Sequence, residues 1–143
     1  MHAKTKITVR YAETDQMGIA HHSVFPVWYE VGRTEFIKLF GTSYSDMEKA
    51  GVMTPLRNLH CHFKLPAKYE DELIIRTWCT AISAARIEFS YTVKKIEADG
   101  SEIELGYGST EHGFVDSNTF RPCNAKKRLP ELFEAINKNI KHF

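Results

Sequence analysis

Residues 24 to 40, V-F-P-V-W-Y-E-V-G-R-T-E-F-I-K-L-F, leave the chain few ways to fold. Wound as a helix at about 100° per residue, they place Phe25, Trp28, Tyr29, Gly32, Phe36, Leu39 and Phe40 on one broad arc. Val24, Val27, Val31 and Ile37 fall outside that arc, so the helix is apolar on most sides. Such a helix is normally enclosed by protein rather than laid on a surface. It is too short, and with Glu30, Arg33, Glu35 and Lys38 too charged, to cross a bilayer. The rest of the chain is therefore expected to wrap around it.

The ends of the helix are marked. Ser23 stands in the N-cap position, Pro26 falls in the first turn where a missing N–H costs little, and Gly41 suits a left-handed C-terminus. Gly32 costs about 1 kcal/mol relative to alanine inside a helix, and its place on the aromatic arc predicts close approach to another backbone. Glu30 and Arg33, three residues apart, are expected to pair. The N-terminus offers unpaired backbone N–H groups and partial positive charge, and Asp15, His21 and His22 stand immediately before it.

Around this helix the period is that of strands. Residues 5 to 11 alternate Ile7, Val9 and Tyr11 with polar residues and read as a first strand. Ser45 to Glu48 has the spacing of a capping box, opening a short helix that ends at Gly51. Leu59, Cys61, Phe63 and Leu65 alternate up to Pro66. Residues 72 to 82 are apolar on both parities, the pattern of a strand covered on both faces. Ile87, Phe89, Tyr91 and Val93 alternate cleanly, Ala98 to Ser101 makes a hairpin turn, and residues 102 to 115 return as a long strand. Its glycines predict bulges or close contacts. A helix opens at Pro130. Consecutive strands joined by short turns form a meander that must bury one face, and the only large apolar object available is the helix. The expected architecture is α+β, a curved antiparallel sheet wrapped around a central helix, with residues 1–143 forming one domain.

Nineteen Lys and Arg against eighteen Asp and Glu give a net charge of +1, which argues against nucleic acid or an anionic membrane as the main partner. The absence of a charged-then-apolar leader and of a long apolar run argues against a signal peptide and against membrane insertion. Three cysteines without C-x-x-C spacing fit a reducing, cytoplasmic setting.

The stretch R-Y-A-E-T-D-Q-M-G-I-A-H-H-S-V-F-P-V-W-Y-E-V-G-R-T-E resembles hotdog-fold acyl-CoA thioesterases of the 4-hydroxybenzoyl-CoA thioesterase type, including the Tol-Pal-associated members. Asp15, Gly18, His22, Tyr29, Glu30, Arg33 and Glu35 fall on that family's pattern, and H-C-H-F-K-L-P-A-K-Y-E-D-E-L and S-T-E-H-G-F-V-D extend the likeness over nearly the whole chain. Many members carry Asn where this chain has Val24, so the acyl pocket is expected to be shaped differently. The resemblance implies a hotdog fold and hydrolysis of acyl-CoA to free acid and CoA. Asp15 would attack directly or act as general base, and backbone N–H groups of His22, Ser23 and Val24 would hold the oxyanion.

Other readings stay open. Asp15 before a glycine-containing loop can simply cap a turn. His22 can orient the carboxylate or be structural, and His21 can be solvated. His60 and His62 share a strand face but have no third metal ligand in sequence, so no metal is expected. Lys64, Lys68 and Arg86 are candidates for CoA phosphates, although ordinary solubilising charge is the stronger reading for each one taken singly. Glu111 and His112 lie near strand glycines and could approach the site, though spacing alone gives no geometric reason that they should. No cofactor is implied, since CoA is part of the substrate. Unpaired sheet edges and the family likeness imply a homo-oligomer, a dimer or a tetramer. The competing functions are a non-catalytic acyl-CoA sensor and a hotdog dehydratase acting on carrier-protein substrates.

Overall fold

A computed structural model describes residues 1–140. The apolar stretch forms α1 (Val24–Lys38), and the strand-like segments form β1 (Ala3–Thr8), β2 (Val52–Met53), β3 (Leu56–Phe63), β4 (Glu72–Ile82), β5 (Arg86–Ile96), β6 (Glu102–Gly113) and β7 (Val115–Asp116). Three shorter helices, α2 (Tyr44–Lys49), α3 (Ala125–Arg128) and α4 (Pro130–Lys138), and a 3-10 turn over Tyr11–Glu13 complete the elements of the described residues. Five strands make one antiparallel sheet in the order β1-β4-β5-β6-β3, while β2 and β7 pair separately. This is the hotdog fold, with α1 as the filling.

The long strands follow the alternation in sequence. Leu73, Ile75, Thr77 and Cys79 of β4, and Ile87, Phe89, Tyr91 and Val93 of β5, are buried toward α1. From α1 the sheet receives Phe25, Trp28, Tyr29, Phe36 and Ile37. Tyr29 stacks on Tyr91 with ring centroids 4.2 Å apart, and Phe36 meets Phe89 edge-on at 5.5 Å. Gly32 lies against the side chain of Thr77, so the close approach is to a side chain rather than to backbone. Gly108 leaves room for the Tyr29 hydroxyl and the His60 carbonyl.

Several expectations need correction. The segment from β3 does not turn back onto β4. β3 crosses to the far side of the sheet and pairs with β6, because residues 64 to 71 form a long connection rather than a hairpin. The strand β1 ends at Thr8; Val9 still exchanges backbone bonds with Glu70 and Asp71 ahead of β4, and the chain then leaves the sheet because Tyr11 opens the 3-10 turn. β4 is covered on one face only, and its outward residues Ile74 and Trp78 are half-buried among neighbouring side chains. Ser23 does not cap α1: it is already helical, with its hydroxyl 2.7 Å from His21 Nδ1. The cap of α2 is Ser43, which has the same spacing to Asp46 as the predicted box but lies earlier. Arg33 turns inward to donate to the Tyr91 hydroxyl (3.3 Å) instead of pairing with Glu30. Finally, Val27, Val31 and Leu39 are exposed, because a single sheet covers only one side of a helix.

Candidate active site

Ahead of α1, Thr14 and Ala20 bridge antiparallel and close a small loop. Within it the Asp15 N–H donates to the Ile19 carbonyl (2.9 Å) and the Gly18 N–H donates to the Asp15 carbonyl (3.0 Å). The turn requires a left-handed residue, which Gly18 supplies at φ 80°. Asp15 Oδ1 accepts the Met17 N–H at 2.9 Å. Asp15 therefore does cap its turn, but with one oxygen only; Oδ2 has no protein donor among the described residues.

A second loop lies alongside. The Ala20 N–H donates to the Ala67 carbonyl (2.8 Å), and Ile19 bridges Lys68. Between the two loops and the start of α1 opens a cleft of about 340 Å³. Its walls are Met17, Ile19, Ala20, Phe25, Phe63, Leu65, Pro66 and Ala67, and its polar side chains are Asp15, His22 and Lys64. Phe25 and Phe63 meet edge-on at 4.9 Å and set one wall. No hydrogen bond joins Asp15 to His22. They face the same cleft from the loop and from the helix start.

The three backbone amides expected at the helix end differ. The Val24 N–H donates to the His21 carbonyl (2.9 Å), and the Ser23 N–H donates to His21 Nδ1 (3.2 Å). The His22 N–H alone of the three has no protein acceptor among the described residues. His21 is thus not merely solvated: its ring fills the role left empty by Ser23 and lies tilted against the His22 ring with centroids 4.1 Å apart.

The candidate cations separate. Lys64 lines the cleft, ion-paired with Glu104 and over the Tyr107 ring. Lys68 is exposed beside the second loop, its backbone N–H bonded to Asp71. Arg86 begins β5 opposite Gly113 and pairs with Glu111 at 3.4 Å. Phe63, at the cleft, is opposite Gly106, so Arg86 lies roughly 20 Å further along the sheet of the same chain at about 3.3 Å per residue. His60 and His62 face outward, and no group of three or more His, Cys, Asp or Glu suited to a metal occurs among the described residues. His112 is buried, away from the cleft.

Sequence reasoning passed over Glu13. It is buried, its Oε1 accepts the Arg10 N–H (2.8 Å) and its Oε2 accepts the Trp28 indole N–H (3.1 Å). A carboxylate two residues before Asp15 with Trp in the next helix was the available signal. The second loop's share of the cleft was also missed, because Pro66 reads as a strand stop rather than as a wall.

Residues 9–138 match the family model described as the thioesterase-like superfamily. A Bacillus subtilis (strain 168) protein named "Putative acyl-CoA thioesterase YneP" is 37% identical over 136 residues, covering 95% of this chain and 96% of that one. Among solved structures, a DHNA-CoA thioesterase from Staphylococcus aureus superposes with a TM-score of 0.88 at 33% identity, covering 96% of this chain and 89% of that one. A hypothetical protein, TT1821 from Thermus thermophilus, gives 0.84 at 30% identity, covering 99% and 100%.

Proposed function

The chain belongs to the thioesterase-like superfamily, and from that premise we propose that it is an acyl-CoA thioesterase, hydrolysing the thioester to free acid and CoA. One observation carries the site: an Asp15 oxygen without a protein donor and a His22 N–H without a protein acceptor belong to the same apolar cleft at the N-terminus of α1. Asp15 Oδ2 either attacks the carbonyl carbon or takes a proton from the water that does so. In both routes the carbonyl oxygen gains charge, the C–S bond breaks and CoA leaves as its thiolate; direct attack leaves the acyl group on Asp15 as a mixed anhydride, which water then hydrolyses to the free acid and the regenerated carboxylate. The His22 amide, with the positive end of α1 behind it, receives the oxyanion. Ser23 and Val24 serve by holding the helix start, since their amides are engaged with His21.

The acyl group lies against Met17, Ile19, Phe25, Phe63 and Leu65, a lining without hydroxyl or amide side chains. Lys64 is placed for the CoA side of the substrate. No cofactor or metal takes part. No helix among the described residues is long and apolar enough to cross a membrane, and the proposed setting is the cytoplasm. The working form is a homo-oligomer. On the helix-facing side of edge strand β3, Leu59 and Phe63 are 40% and 48% exposed, and this is the surface a second copy would cover.

The test is release of free thiol from short, medium, long and aromatic acyl-CoAs, followed with a chromogenic disulfide. Multiple turnovers on at least one substrate are expected. Asp15→Asn keeps an oxygen for the Met17 N–H, so it should fold normally, yet lose more than about tenfold in kcat, or about 1.4 kcal/mol. A folded variant that retains its rate would remove Asp15 from the mechanism. Calorimetric binding without turnover on any substrate would replace the enzyme by an acyl-CoA sensor.

A further inference from the structure

Glu13 touches both halves of the site without reaching the cleft. Its side chain is buried at 6% exposure and bonds to the indole N–H of Trp28, which is 1% exposed in the second turn of α1. Its backbone carbonyl accepts the His21 N–H at 2.9 Å, the bond that closes the loop carrying Asp15 immediately before the free amide of His22. Oε1 meanwhile takes the Arg10 N–H, which fixes the 3-10 turn leading into the loop. A buried carboxylate is costly unless its oxygens are filled. Here they are filled by two donors of Arg10 at the entry of the loop, its backbone N–H on Oε1 and its guanidinium on Oε2 (3.4 Å), and by the indole N–H from the helix. The Asp15 loop is therefore tied to the helix by a carboxylate–indole bond and to the second loop through Ile19 and Ala20, while Met17 at its tip is 77% exposed and adds no anchor.

We propose that Glu13 is a positioning residue for thioester hydrolysis, clamping the loop that bears Asp15 to α1 through Trp28, so that the Asp15 carboxylate and the His22 amide address one carbonyl. This rests on the roles given to Asp15 and His22 above. Transition-state geometry is exacting: a displacement of about 1 Å can cost about 100-fold in rate. Loosening the clamp misplaces the nucleophilic oxygen relative to the oxyanion donor while leaving the apolar walls that bind the acyl group in place. The loss therefore falls on kcat rather than on KM.

The experiment is a double-mutant cycle on the full-length protein with Glu13→Gln and Trp28→Phe, reading kcat and KM for the best acyl-CoA together with thermal melting. Trp28→Phe keeps a buried ring and removes only the indole N–H and the second ring, so it reports on the bond even if Glu13→Gln folds poorly. Each single variant should lose about 10- to 100-fold in kcat with KM changed by less than about threefold. The double variant should lose no more than the worse single, because the two groups act through one bond. Losses that multiply, or a folded variant with kcat within about twofold of the parent, would overturn the clamp. An active Asp15→Asn would instead sink the assigned mechanism. An inactive Asp15→Asn beside an undiminished Glu13→Gln would sink the clamp alone.

Discussion

Gly32 of α1 and Thr77 of β4 are packed so closely that a Cβ on the glycine would overlap the threonine hydroxyl, with the Ile75 methyl only 3.3 Å away. Thr77 is fully buried, and its branched side chain is stiff at χ1. The glycine cost that the sequence carries in mid-helix is thus offset by the distance at which α1 can approach the sheet. Gly32→Leu should destabilise by about 1–3 kcal/mol or more through overpacking. Thermal melting checks this, and Thr77→Ala in the same background should recover part of the loss. An unchanged midpoint in Gly32→Leu would contradict the observed helix orientation.

His112 supplies a pH dependence. The Thr54 carbonyl can only accept, so His112 Nδ1 (3.1 Å) carries the proton and Nε2 accepts from the Thr110 hydroxyl (2.9 Å). Thr110 in turn accepts from Tyr91, whose oxygen accepts from Arg33. Burial, with the Arg33 charge nearby, pushes the His112 pKa down to about 4. Above about 6.5 the ring is neutral in folded and unfolded chains alike, and its contribution to stability is fully present. As pH falls from 6.5 toward 4 the unfolded chain takes up a proton that the folded chain refuses, and stability is lost, on the order of 2 kcal/mol. Denaturant midpoints measured across this window should fall for the parent and less steeply for His112→Gln. Equal slopes would show that His112 is not the group responsible.

What could be read in the sequence was periodic. α1, β4, β5 and β6 announce themselves through spacing, and the Asp15 loop through its position before a helix. Arg33 is different: Glu30 lies at pairing distance along the helix, but burial of Tyr91 beneath Arg33 provides a hydroxyl acceptor that local spacing does not reveal. The partner of β3 is likewise long-range, since alternation says that Leu59 and Cys61 share a face but not which strand they meet. Glu13 was hidden for the same reason. Its partner lies fifteen residues away, on a helix whose register against the loop exists only in the folded chain.

Chelation should leave thioester hydrolysis unchanged. His60 and His62 face outward from β3, with His62 stacked on Tyr107 at 4.7 Å and His60 opposite Ser109. Two imidazoles without a third ligand make a poor metal site. Prolonged EDTA dialysis with metal analysis is the check. Activity that disappears and returns with zinc or manganese would make this face part of the mechanism.

The oligomer prediction follows from where apolar side chains point. Leu59, Cys61 and Phe63 are opposite Thr110, Gly108 and Gly106, so they share the face that packs toward α1. Phe63 does reach Phe25, yet it and Leu59 remain 48% and 40% exposed. β3 also ends the sheet, leaving its outer edge without a strand partner among the described residues. Apolar side chains pointing inward at an uncovered edge mark a surface that joins another chain. Light scattering at micromolar concentration should therefore give at least twice the 16.4 kDa chain mass. Leu59→Lys, which places a charge in the proposed contact without touching Asp15 or His22, should shift the protein toward monomer. Because Phe63 is a wall of the cleft and lies on the same strip, hydrolysis should weaken as the assembly dissociates, and raising protein concentration should restore part of it. A parent protein that is monomeric and fully active would refute both the contact and its link to the site.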